Sequence, residues 1–410
     1  MTQLFGTRAT VHTFVVLMIS FVLATIPSVV AAQEQGEFAD EAQLRTGPLG
    51  LSSRVSWQTM YEDNVFRTAA NPVEDIVSTF GGMASARGRM RRVGVTANGT
   101  ADWVHYATLT RERGANVATN LRLDFLLNRF VPYAGASYQN SRQRQNSEID
   151  VRPRITQSIL LAGSLVRIGG KSALDFSAKH GIEAYDDSAS IEGINLGEAL
   201  DRTTDQLMLS FIQTVTPLTR LIVATEMRRD EFGETSYRSA DYIRFSGGFE
   251  SQGWLRGHAR LGVQVVTPHN PAISEVRGIF ASVGTNATIR DRLQIGLDAE
   301  RDVSPSFRPG IAYYQSQKFG TSVSYAIRRS VRLLAVADRQ FSDYRTGMSI
   351  PNESYPLGVD VHSRYGGGLG FHVGDSIAID LSGTYSERES IVESRRFDGL
   401  SFMAGVSHAF

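Results

Sequence analysis

The fold class of this chain is decided by the segment Leu-Gln-Ile-Gly-Leu-Asp-Ala-Glu at residues 293–300. Its apolar side chains recur at every second position, and a two-residue period places them on one face of a β-strand. Residues 120–127, 243–250 and 376–385 show the same alternation, and no stretch of helical length keeps a 3.6-residue period. The sequence therefore predicts an all-β protein.

The length of these segments indicates a membrane protein. Each alternating stretch runs for roughly 10–15 residues, whereas strands in globular proteins usually have about 5–6 residues and a tilted membrane-crossing strand needs about 9–11. A β-sandwich or a propeller does not require strands of this length. We therefore expect a transmembrane β-barrel.

The connections between the segments alternate in length. Eight tight turns, such as those at Arg87–Met90, Arg290–Asp291 and Gly374–Asp375, lie between nine longer polar stretches, such as Asp186–Arg202 and Asp343–Val359. Bacterial outer-membrane barrels combine short periplasmic turns with long outer loops and have an even number of strands. The pattern predicts an antiparallel up-and-down barrel of about 18 strands, with 16 as the alternative, and with both termini in the periplasm.

A barrel of this size encloses an aqueous channel, so the face opposite the apolar residues should line a lumen. In the segment 242–250, for example, turning Arg244 to lipid would cost about 2–4 kcal/mol near the midplane, so Ile243, Phe245 and Phe249 should face lipid. Arginine and acidic rows inside could set a transverse field, or could pair and neutralise each other. The candidate lumen-lining residues are Arg122, Asp124, Arg220, Glu226, Arg228, Arg244, Asp298, Glu300 and Asp380.

Aromatic residues near the strand ends are expected to form girdles at the two membrane interfaces. These residues are Trp57, Tyr61, Trp103, Tyr133, Trp254 and Tyr385.

The first 50 residues indicate export. Arg8 precedes a 13-residue apolar run at 14–26, and small residues end at Ala32. A membrane-spanning helix needs about 20 apolar residues, so we interpret 1–32 as a signal peptide cleaved near Ala32. Residues 33–50 are polar and should form a disordered periplasmic lead-in, with a short plug in the lumen as the alternative, and 51–410 should form a barrel in the outer membrane of a Gram-negative bacterium.

Composition excludes several classes of function. Lys+Arg and Asp+Glu are both 42, so the chain lacks the basic excess of a nucleic-acid-binding protein. It has no Cys, no His-Glu-x-x-His motif and no Gly-x-Ser-x-Gly motif. We therefore predict no catalytic, cofactor-binding or metal-binding residue, no enzymatic activity, and outer-membrane lipid as the surroundings.

The C-terminal segment alternates up to the last residue. Phe402, Val406 and Phe410 lie on its apolar face. A final strand that ends on Phe resembles the assembly signal of bacterial outer-membrane proteins, although His408 replaces the aromatic residue usual two positions before the end. The resemblance implies recognition by the barrel-assembly machinery.

The first mature strand ends in a motif formed by Tyr61, Asp63, Asn64, Phe66 and Arg67. It resembles the Tyr-x-Asp-Asn-x-Phe-Arg opening of the family called "putative β-barrel porin 2". Members of that family often belong to exopolysaccharide synthesis and export systems. The resemblance implies an outer-membrane barrel, with polysaccharide and periplasmic export components as partners. Asp63 and Asn64 could contact sugar, or could form a turn that binds its own backbone.

Three functions are compatible with these observations. The first is a conduit that takes part in exopolysaccharide export, and the second is a general diffusion porin for small solutes. The third is a structural or adhesive barrel whose loops matter more than its pore.

Overall fold

The computed structural model describes residues 44–142, 148–308, 310–345 and 356–410. Within these ranges, eighteen long antiparallel strands form one sheet. They are β1 Leu49–Glu62, β2 Asp75–Met90, β3 Val93–Tyr106, β4 Gly114–Phe125, β5 Phe130–Arg142, β6 Arg154–Arg167, β7 Ser172–Tyr185, β8 Arg202–Thr216, β9 Thr219–Phe232, β10 Ala240–Gln252, β11 Leu255–Pro268, β12 Val276–Ile289, β13 Leu293–Pro305, β14 Tyr313–Arg328, β15 Val331–Asp343, β16 Val359–Val373, β17 Ile377–Glu389 and β18 Phe397–Ala409.

The sheet closes on itself. Each strand pairs with the next along the chain, and β18 pairs with β1 from Glu62 opposite Ser401 to Arg54 opposite Ala409. Beyond the end of β18, a short strand at Leu44–Thr46 pairs with residues 49–51 and continues the wall. The prediction of an 18-strand up-and-down barrel is confirmed, and the 16-strand alternative is wrong.

The two ends of the barrel differ in their connections. At one end, which we call the turn end, eight connections have two to four residues, and β1 begins there while β18 ends there. At the other end, the loop end, nine connections have seven to sixteen residues. The predicted alternation of short and long connections is therefore found at every position. That the turn end faces the periplasm stays a prediction.

Along each strand, side chains alternate between the outer and the inner face of the barrel. On β10, Ile243 and Phe245 are 53% and 56% exposed on the outer face, whereas Arg244 between them is 7% exposed on the inner face. In a bilayer the outer side chains contact lipid, and each strand pairs its backbone groups with a neighbouring strand on both sides around the closed sheet over most of its length.

Turn geometry accounts for one of the predicted connections. Arg290 and Asp291 both have positive φ, at 53° and 52°. A type I′ turn requires positive φ at both central residues, and its twist matches that of the flanking strands. The predicted turn at Arg290–Asp291 is therefore found where the sequence placed it.

Some boundaries differ from the prediction. β2 continues to Met90, so the turn expected at 87–90 lies at 91–92. The predicted lead-in ends in ordered strand at Leu44–Thr46 and from Leu49, and its first residues, like the predicted signal peptide, lie outside the described residues. None of the helices in the described part of the chain is long and apolar enough to cross a membrane.

Candidate functional site: the lumen and its cap

The nine candidate lumen-lining residues all lie on the inner face according to the strand register. On β9, Leu221, Val223 and Met227 are exposed on the outer face, which places Arg220, Glu226 and Arg228 inside. The same argument places Arg122 and Asp124 on β4, Arg244 on β10, Asp298 and Glu300 on β13, and Asp380 on β17 inside. Their contribution to a solute path stays a prediction.

Arg244 connects three strands on this inner face. Its Nε donates to Gln264 Oε1 on β11 at 2.8 Å, and its Nη2 donates to Asp302 Oδ1 on β13 at 2.5 Å. Its Nη1 lies 3.6 Å from Glu226 on β9. Arg244 is therefore shared between two carboxylates and ties the loop-end part of β13 to β10, three strands away around the wall.

A second group surrounds Tyr133 near the turn end. The Arg122 guanidinium lies 4.0 Å from the centroid of the Tyr133 ring and 3.0 Å from Asp124. The Tyr133 hydroxyl donates to Asp175 at 3.0 Å. A Cβ on Gly163 would lie only 2.4 Å from the Tyr133 ring, so glycine makes room for it. Tyr133 therefore lies inside the barrel, and its expected place in an outer aromatic girdle is wrong.

The remaining candidates occupy separate places on the wall. Arg220 lies opposite Glu250 in the β9–β10 register, and Glu300 lies opposite Lys318 in the β13–β14 register. Asp380 lies over Gly370, where Arg332 also approaches. The structure therefore distributes the candidates along the lumen and does not assemble them into one pocket. Among the described residues, no group of three or more His, Asp or Glu could hold a metal ion.

The motif residues Tyr61 to Arg67 tie the first long loop to the last strand. Asn64 is buried and donates to the backbone oxygens of Thr68 and Asp398, at 2.9 and 3.1 Å. Asp63 accepts from the Leu400 N–H at 2.8 Å. Phe66 packs against the Val65 cluster, and Tyr61 donates to Glu74. The Arg67 guanidinium lies 5.1 Å from the Phe397 ring. The motif therefore has a structural role at the barrel seam.

The three residues of the proposed assembly signal face outward. Phe402, Val406 and Phe410 are all exposed on the outer surface of β18. A surface of this kind is available to a protein that pairs with or packs against the last strand, and its recognition by the assembly machinery stays a prediction.

Parts of the long connections fold over the loop end, where they form what we call the cap. The cap consists of residues 148–153, 186–201, 233–239, 306–308, 310–312 and 390–396. Phe307 is completely buried in it, against Ile149, Tyr185 and Leu196 from other parts of the rim. Ser394 donates to Glu192 at 3.4 Å, although their loops leave nearly opposite sides of the barrel. The cap therefore crosses the loop-end mouth.

Buried arginines hold the cap together. Arg308 is 1% exposed and pairs with Glu148 at 3.3 Å and with Asp360 on β16 at 3.1 Å. Arg238 donates to the backbone oxygens of Ala199, Phe307 and Arg308, at 3.1, 3.2 and 3.0 Å. Because each arginine bonds to several loops, moving one loop would leave buried polar groups without partners.

The cap also changes the ionisation of one of its carboxyls. Glu148 is almost fully buried and accepts from the Ser306 hydroxyl at 2.5 Å. Burial raises the pKa of the Glu148 carboxyl above its ordinary value, although the Arg308 guanidinium acts in the opposite direction. The cap therefore contains a group that takes up a proton more readily than an exposed glutamate.

The cap residues 306–308 and 310–312 follow a strand whose pairing changes near its end. β13 pairs with β12 only from Leu293 to Arg301, while its last four residues pair with β14 alone. The released end bends inward, and Asp302 reaches Arg244. Sequence analysis did not predict this cap because it described the nine long connections only as polar stretches. Apolar residues inside polar loops, such as Ile149, Leu196 and Phe307, are the signal that could have revealed it.

Comparison with known proteins identifies a family. The model of the family described as "Putative beta-barrel porin 2" matches residues 40–410. Similar solved structures include OccAB4 of Acinetobacter baumannii, with 7% identity, a TM-score of 0.49, and coverage of 90% of this chain and 100% of that one. OccK1 (OpdK) of Pseudomonas aeruginosa has 11% identity, a TM-score of 0.49, and coverage of 89% and 100%. No curated protein matches the sequence.

Proposed function

Because the chain belongs to the family described as "Putative beta-barrel porin 2", we propose that it is a diffusion channel for small polar and charged solutes. The family and the barrel together make the chain an outer-membrane β-barrel of the porin type. The class of solute is the part that we propose.

The closed 18-strand wall with a polar inner face is the observation that supports this function. Strand spacing and tilt give such a barrel a backbone diameter on the order of 35 Å, which strand side chains alone do not fill. Arg220, Glu300 and Lys318 are exposed on the inner face, as expected for side chains that face water. A hydrated interior of this kind lets small solutes exchange their hydration shells for wall groups.

The comparisons lend no support to exopolysaccharide export. The cap also argues against a polymer path, because Phe307 and its neighbours lie across the mouth that a chain would have to leave. In the motif that suggested export, the side chains of Asp63 and Asn64 bond to backbone groups of the protein itself. We therefore favour the small-solute channel over the conduit.

Liposome swelling tests the proposal. Vesicles that contain the purified protein should swell in neutral sugars of low mass, and the rate should fall steeply as solute size increases. A Phe307→Ala variant should raise the rate for the larger solutes, because it loosens the cap. If neither protein admits any solute, the channel function is wrong, and a structural or adhesive role for the barrel would be favoured.

A further inference from the structure

The net charge of zero conceals a separation of charge along the barrel axis. The eight short connections have seven basic residues and two acidic residues, among only 22 residues. The nine long connections have 10 arginines and 14 carboxylates. One end of the molecule is therefore basic and the other acidic.

The inner wall shows the same separation. Three of the six residues of each strand nearest the turn end face inward, and over the eighteen described strands these include nine arginines and five carboxylates. The corresponding residues nearest the loop end include six basic side chains and nine carboxylates. Because connections and wall share the sign of their excess at each end, their fields add along the lumen.

Pairing differs between the two ends. Near the loop end, Arg202 pairs with Glu183 at 3.2 Å and Arg228 with Asp230 at 3.3 Å. Near the turn end, the side chains of Arg220 and Arg256 are exposed and form no hydrogen bond or ion pair with other side chains or backbone groups of the described residues. At the same level Asp124 is engaged by Arg122 and Asp175 by Tyr133. The turn end therefore has guanidinium groups available to a solute.

We propose that the turn end of the lumen is a vestibule that concentrates small anions bearing carboxylate or phosphate groups. This inference rests on the proposed channel function and names the solute class that the channel favours. Guanidinium groups bind both oxyanions through paired N–H donors. A cleft lined by one sign of charge raises the local concentration of the opposite ion by roughly tenfold or more.

The absence of cysteine allows a direct test. Thr214 and Thr204 lie on the inner face of β8, near the turn end and the loop end, and Thr214 is opposite Arg220. We would introduce Thr214→Cys and Thr204→Cys separately into the full chain. Each thiol would be labelled in turn with a sulfonate-bearing and a trimethylammonium-bearing methanethiosulfonate of similar size. Each labelling rate would be divided by the rate at which the same reagent modifies a free thiol in solution.

The anionic reagent should react roughly tenfold faster than the cationic one at position 214, with no such preference at position 204. In about 1 M salt the preference at 214 should disappear, because the Debye length falls to about 3 Å. Arg220→Glu with Arg256→Glu should reverse it. If the ratio of the anionic to the cationic labelling rate is the same at positions 214 and 204, the proposal is wrong, even if liposome swelling has established the channel.

A matched variant tests where the charge acts. Arg292→Glu with Arg329→Glu changes the same number of charges in two turns, outside the lumen wall. The preference at position 214 should fall much less in this variant than in Arg220→Glu/Arg256→Glu. If it falls as much, the basic excess acts from the rim, as a contact with anionic lipid headgroups would, and the vestibule is rejected.

Discussion

The arginines at the two ends of this barrel differ in burial and in bonding. At the loop end, Arg238 and Arg308 are buried and bond to carboxylates or backbone oxygens of several loops. At the turn end, Arg220, Arg256 and the arginines of the turns are exposed to solvent. The difference follows from connection length, since a chain of seven or more residues can fold over a guanidinium, whereas a two-residue turn cannot. Arginine therefore stabilises a closed cap at one end and supplies a field at the other.

The largest effect that would test this contrast is expected from Arg308→Ala. The substitution leaves Glu148 buried without its cation, which costs about 3–5 kcal/mol, whereas Asp360 keeps its second arginine partner, Arg395. Because the strands keep their own pairing, we expect loss of amide protection in residues 186–201, 306–308 and 310–312, and a larger single-channel conductance. Arg329→Ala in a turn is the control and should change neither. Unchanged protection in the cap would contradict the role assigned to Arg308.

A somewhat smaller effect is expected from Phe307→Ala. Removing this completely buried ring leaves a cavity in the cap cluster, at a cost of about 3 kcal/mol. Hydrogen exchange of residues 148–153 and 196–200 should speed up, while exchange in β1 to β4 stays the same. Phe307→Leu keeps most of the apolar contact and should lie between the two. If alanine and leucine behave alike, the cluster does not hold the cap.

Because of Glu148, we expect the stability of the cap at the loop end to depend on pH. Its pKa is raised by burial, so the folded cap binds a proton at a pH where the unfolded loop has released it. Cap stability from this group should therefore fall as pH rises through the folded pKa, and be constant above it. Glu148→Gln should remove this slope, measured as amide exchange of 306–308 against pH and corrected for intrinsic exchange. A slope that persists in the variant would assign it to another group.

Substitutions of arginines at the turn end should have the smallest effect on stability. We expect them to change only the ion selectivity of the channel. Arg220→Glu with Arg256→Glu replaces exposed groups, so the denaturation midpoint should stay within the error of wild type. In a potassium chloride gradient across a planar bilayer, the reversal potential should shift towards the equilibrium potential of potassium. Arg292→Glu/Arg329→Glu should shift it less. A large loss of stability would show that the turn end, like the loop end, depends on its arginines for folding.

Sequence analysis predicted most of the barrel because its signals are local. Ile243, Arg244 and Phe245 alternate with a period of two, and the cost of turning a guanidinium to lipid decides which face is outside. Chain length between the alternating segments then fixes short and long connections. The same local reasoning misplaced Tyr133, because whether an aromatic residue joins a girdle depends on the parity of its strand and on a neighbour such as Gly163.

The candidate site was predicted in part, for a physical reason. The side of the wall on which Arg122, Glu226 and Arg244 lie follows from alternation, but their partners come from other strands. Asp302 reaches Arg244 only because the end of β13 leaves β12 and bends inward. No pattern within β13 shows where its pairing with β12 ends.

The sequence by itself determined an all-β chain with alternating faces and two unequal sets of connections, because periodicity and segment length are properties of neighbouring residues. The cap and the division of arginines between buried bonds and an exposed lumen wall were decided by the tertiary structure. Both depend on groups far apart in the chain, such as Glu148, Arg308 and Asp360, which meet only after the barrel has closed and its loops have folded over one mouth.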